Sequence, residues 1–158
     1  MTSFNLETHG VTIVPNILTS QECQDVYQGI WQYYHQLSGG AIRADDTTTW
    51  HHYYDYLPKH AMLQQHFHIG HCQAAWNVRQ HPNVAGAYAT MYQCQPEQLL
   101  ASFDGVSLHL PPEVTGRGWY KQDWLHVDQA YTNSGPQCVQ SYVNLLDTHS
   151  DDATTTVL

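Results

Sequence analysis

The 158 residues are one domain's worth of chain, and a 42% hydrophobic content can supply a core. A net charge of -9, with only five Lys and Arg, argues against a phosphate-neutralising surface and so against nucleic-acid binding. No apolar run approaches the roughly 20 residues that cross a bilayer. Cys23, Cys72, Cys94 and Cys138 show no CxxC spacing, and the chain opens without a secretory h-region, so the expectation is a reduced, cytoplasmic protein with no membrane contact. Twelve histidines raise the prior for a metal site without locating it.

Taken in order, Gly10 to Pro15 is rich in β-branched residues and reads as a short strand stopped by proline. Thr19 and Glu22 then form a capping box. Behind it Cys23, Val26, Tyr27, Ile30, Trp31, Tyr34 and Leu37 recur at helical spacing until Gly39 and Gly40, a stripe expected to pack on a sheet. The segment from Ala41 to Leu57 has no period. Its cluster Trp50-His51-His52-Tyr53-Tyr54-Asp55-Tyr56 either lines a pocket mouth or covers the core. Helices are predicted over Lys59 to Gln65, over His71 to Gln80, and after Pro82 with Val84, Ala87, Tyr88 and Met91 on one face. Within this region His66, His68 and His71 suggest zinc, but the fourth ligand at a characteristic spacing is missing, which favours adventitious binding. Arg79 either pairs with a carboxylate to fix the fold or faces a substrate.

After Pro96 the period changes to two. Leu99 to Phe103 and Val106 to Leu110 read as strands around Asp104-Gly105, and Thr115 to Gly118 as loop. Trp119 to Tyr131 reads as a strand in which His126 and Asp128 point the same way while Leu125 and Val127 face oppositely. An imidazole and a carboxylate so placed can hold one metal ion at adjacent positions, as two arms of a 2-His-1-carboxylate triad on Fe(II). Asn133 to Pro136 is a turn. On the following strand, Cys138 to Leu146, the residues Cys138, Gln140, Tyr142 and Asn144 share one face, which is either the wall of a polar pocket or a half-exposed sheet edge. Thr154 to Leu158 begins another strand.

Trp124 two residues before His126, Gln129-Ala130-Tyr131 after Asp128, the strand Gln137 to Asp147, the opening Gly10 to Thr19 and Phe103-Asp104-Gly105 together resemble the phytanoyl-CoA dioxygenase-like branch of the Fe(II)- and 2-oxoglutarate-dependent oxygenases. The resemblance implies an enzyme that hydroxylates a small-molecule substrate, with Fe(II) as cofactor and 2-oxoglutarate as co-substrate. It implies an α+β fold, with a mainly helical part (1–95) packed on the incomplete double-stranded β-helix, or jelly roll, of 96–158. His126 and Asp128 are the implied metal ligands. Gln140, Tyr142 and Asn144 are candidate 2-oxoglutarate contacts, with Tyr142 where relatives often carry tryptophan. Asp104, Trp119 and Gln129 are candidates for the substrate side, Asp104 being otherwise a turn former.

The chain departs from that pattern at its end. The family places a second histidine and a carboxylate-binding arginine after the His-x-Asp motif, whereas here His149 lies in a polar connection and no arginine or lysine follows Lys121. About five strands can be counted after Pro96 where a jelly roll has about eight. The expectation is a single domain truncated within its catalytic part, or a short form without catalysis. The alternative function is a non-catalytic jelly-roll module or pseudo-enzyme that binds a ligand at the aromatic cluster Trp50 to Tyr56.

Overall fold

A computed structural model describes residues 5–57, 63–117, 126–135 and 137–152. Among them the elements are the α-helices α1 (Leu6–His9), α2 (Ser20–Leu37), α3 (Gln73–Arg79), α4 (Pro82–Tyr92) and α5 (Pro112–Thr115), with 3-10 helices at Thr47–Asp55, Ile69–His71 and Pro96–Gln98.

The capping box forms as the sequence predicts. Glu22 N–H donates to Thr19 Oγ1 at 3.2 Å, and Thr19 N–H donates to Glu22 Oε2 at 2.7 Å. From there α2 buries Val26, Ile30, Trp31 and Tyr34, the centre of the predicted stripe. Burial of each such large side chain stabilises by roughly 1.5–3 kcal/mol. The face packs on helices rather than on a sheet. Gly29 lets α3 come close, since a Cβ there would lie 3.0 Å from Ala74 Cβ. The 3-10 helix Thr47–Asp55 lays Tyr53 against Tyr34 edge to face (5.0 Å between centroids), and Trp50 against Trp31 (5.1 Å). The core comprises these rings with Val26, Ile30, Ile42, Ile69, Ala74 and Leu110. The aromatic cluster thus covers the core, the second of its two readings. Arg117 lies over Tyr54 at 4.1 Å, closing the outer side.

The predicted helices at 71–80 and after Pro82 form as α3 and α4. α3 starts at Gln73 behind the short 3-10 turn Ile69–His71. Residues 59–62 of the predicted helix ending at Gln65 lie outside the described residues, and Gln64 is extended, not helical. Its N–H and C=O exchange hydrogen bonds with Val106 (2.9 and 3.0 Å), an isolated antiparallel bridge. Gly105 permits that approach: a Cβ there would fall 1.9 Å from the Gln64 carbonyl oxygen.

Among the described residues the jelly roll is not present. Among the described residues no strand forms, and the Gln64–Val106 bridge is the sole ladder contact. This overturns the α+β, double-stranded β-helix expectation for 96–158, and with it the jelly-roll form of the binding-module alternative. The period-two signal is nonetheless real in burial. Val106 and Leu108 pack against the core and Leu110 is buried within it, so beyond the single bridge at Val106 this extended segment lies against the core instead of pairing with a neighbour. A strand pattern specifies which face a segment can bury; a ladder needs a partner edge, and beyond Gln64 none is offered to it among the described residues. Ile13 and Val14 of the predicted first strand are likewise unpaired and exposed, as are Leu100, Val127 and Leu146. The segment Thr154 to Leu158 lies outside the described residues.

Candidate functional site

His126 and Asp128 are brought together. His126 Nε2 lies 3.2 Å from Asp128 Oδ1, and both side chains are partly exposed. Two donors about 2.1 Å from one octahedral ion are separated by about 3.0 Å when they occupy adjacent positions, so this spacing and this N/O donor set fit two ligands of a divalent metal. Asp128 Oδ2 accepts a hydrogen bond from Gln140 Nε2. The geometry does not come from a strand, because residues 126–131 run through bends and a turn.

Gln129 organises the chain that follows. Its Oε1 accepts from the N–H groups of Gln137 (2.7 Å) and Cys138 (3.3 Å), while its Nε2 donates to the Gly135 carbonyl at 2.6 Å. One side chain therefore closes the loop 129–137 and returns the chain alongside Asp128. This is its observed role, beside the substrate role the resemblance implied. Tyr142 and Asn144 are exposed, and Trp119 lies outside the described residues. Ser141 reaches Tyr88 Oη at 2.5 Å, tying this segment to α4.

Asp104 binds its own neighbour and a distant segment: Oδ1 accepts from Gly105 N–H and from Gln65 Nε2, each at 2.8 Å. Arg79 fixes the fold through backbone carbonyls rather than through a carboxylate. Its guanidinium donates to the carbonyls of Gly70 (2.8 Å) and Asp104 (3.2 Å) between the rings of Trp76 and Phe103. It thereby bolts α3 to the extended segment, a role the sequence missed because its acceptors are backbone. His66, His68 and His71 do not converge: His71 stacks on Phe103 at 4.5 Å. Among the described residues no group of three or more His, Cys, Asp or Glu side chains is placed to hold a metal. A metal centre complete in itself is therefore not present among them, and the His-rich cluster is not a zinc site.

A second polar junction, unexpected from the sequence, joins α2 to α4. His81, the N-cap of α4, places Nε2 3.1 Å from Glu22 Oε1. Glu22 is held well below the usual carboxylate range, at about 2, first by the Thr19 backbone N–H and then by His81. In the core, burial drives the phenols of Tyr34 and Tyr53 upward, Tyr53 to about 12, so both remain neutral hydrophobic pieces.

No helix among the described residues is long and apolar enough to cross a membrane. The four cysteines are free thiols. No family model matches the chain, and no solved structure matches it. Among curated proteins it is similar to the Ava biosynthesis cluster protein O of Aspergillus versicolor, at 29% identity over 87 residues. That stretch covers 55% of this chain and 27% of the relative, so the similarity spans about a quarter of the relative's length.

Proposed function

We propose that this chain carries two of the three metal ligands, His126 and Asp128, of an Fe(II)- and 2-oxoglutarate-dependent oxygenase acting on a small molecule. The observation that carries the reading is the 3.2 Å approach of an imidazole nitrogen and a carboxylate oxygen with the second carboxylate oxygen held by an amide. The relative is named for a biosynthesis cluster, which agrees with a small-molecule substrate.

Iron, when bound with oxygen and 2-oxoglutarate, would supply the oxidising chemistry. The chain's part is to bind and orient. His126 offers Nε2 as a neutral donor, and Asp128 offers Oδ1 with its negative charge at the adjacent position. The third ligand and the cation for the far carboxylate of 2-oxoglutarate are to be sought outside the described residues. Each described arginine is engaged elsewhere: Arg43 with Asp46, Arg79 with two carbonyls, and Arg117 over Tyr54. An unpaired buried carboxylate would cost several kcal/mol, so turnover requires such a cation.

Succinate formation from 2-oxoglutarate, with Fe(II) and ascorbate, tests the reading on the longest product that the gene encodes. The expected result is succinate that disappears in His126→Ala and in Asp128→Ala. No succinate from the unsubstituted protein, or the same rate in both variants, would overturn it.

A further inference from the structure

We propose that His81 is a proton-operated switch at the junction of α2 and α4: its neutral ring caps α4, and its protonated ring gives up that cap while keeping hold of α2. Both ring nitrogens are engaged. The Asn83 backbone N–H is directed at Nδ1 (3.2 Å), and Glu22 Oε1 lies 3.1 Å from Nε2. Those two partners decide where the ring hydrogen sits. A backbone N–H can only donate, so Nδ1 must be bare; an ionised carboxylate can only accept, so Nε2 must carry the hydrogen. Glu22, held at about 2, is ionised at every pH at which imidazole titrates.

A second proton has only Nδ1 to go to. There it removes the acceptor for Asn83 and sets N–H against N–H, and it brings positive charge to the N-terminal end of α4, where a helix favours anions. The Glu22 contact, by contrast, becomes an ion pair. The Asn83 side-chain amide also donates to the Ile17 carbonyl at 3.1 Å, so release of its backbone loosens the anchor of the segment leading into α2. The charged and titratable groups on the surrounding elements leave the ring to Glu22. Asp25 on α2 accepts from Gln21, and Arg79 at the end of α3 donates to the carbonyls of Gly70 and Asp104. Tyr88, farther along α4, meets Ser141, and Glu97 follows the far end of that helix. The His81 side chain is 17% exposed, so solvent protons reach it without unfolding.

NMR of the full chain tests the switch. At about pH 8 the ring-nitrogen shifts of His81 should show a bare Nδ1 and a protonated Nε2. From about pH 8 to about pH 5 the protection of the Asn83 amide against solvent exchange, normalised to its intrinsic rate, should fall about 5-fold or more, with the same midpoint as the His81 ring. His81→Asn supplies an N-cap that does not titrate and should keep Asn83 protected at both ends of that range. His81→Ala should leave it unprotected at both. A ring hydrogen on Nδ1 at about pH 8, Asn83 protection that stays constant through the His81 titration, or the same loss on acidification in His81→Asn would overturn the proposal.

Discussion

Glu22 serves two structures with one carboxylate. Oε2 closes the capping box on Thr19 N–H, and Oε1 meets His81 at the start of α4. Because its folded pKa of about 2 lies below its ordinary 4.5, its contribution to stability is fully present above about pH 4.5. The contribution is lost as the pH falls from there toward 2. Glu22→Gln removes that linkage, so its unfolding free energy should decline less steeply than the wild type's between pH 4.5 and 2. Urea titrations at several pH values check this; parallel pH profiles would show that the carboxylate is not perturbed in the folded chain. The cap itself was legible from Thr19 and Glu22, three positions apart. The His81 contact was not, since it joins residues 59 positions apart and leaves no local pattern.

At the scale of elements, α2 and α3 meet at Gly29, and α4 carries Gly86 in open surroundings. Alanine in a helix interior is favoured over glycine by about 1 kcal/mol. At Gly29 that gain is opposed by overpacking, because the new methyl would sit 3.0 Å from the Cβ of buried Ala74; such clashes cost about 1–3 kcal/mol. The clash should win, so Gly29→Ala is expected to lose about 1 kcal/mol and Gly86→Ala, with nothing within 4 Å, to gain up to about 1 kcal/mol. Denaturant midpoints of the two variants decide it, and a stabilised Gly29→Ala would mean that α3 can retreat. Helices α2, α3 and α4 were legible because a helix satisfies its own backbone, so cap, period and stop all lie within the segment. The strands were misread for the complementary reason. Val106, Leu108 and Leu110 do share the core-facing side of their segment, but whether a ladder forms depends on a partner edge that the segment's own residues do not encode.

Across the whole molecule, the site was legible to the extent that its members lie close in sequence. His126 and Asp128 were paired on a strand periodicity that the fold does not have, and they meet all the same because a two-residue separation keeps them within reach in a bend as well. Gln140 was placed on a polar face, yet its partner followed only from the loop that Gln129 folds. The most direct test of the metal pair is an anaerobic Fe(II) titration by calorimetry of the 158-residue chain, beside His126→Ala and Asp128→Ala. Two protein ligands leave the ion largely hydrated, so the account predicts weak binding of one ion per chain, reduced about 10-fold or more by either substitution. Binding that is unchanged in both variants would place the ion elsewhere, among the remaining histidines, and would contradict it.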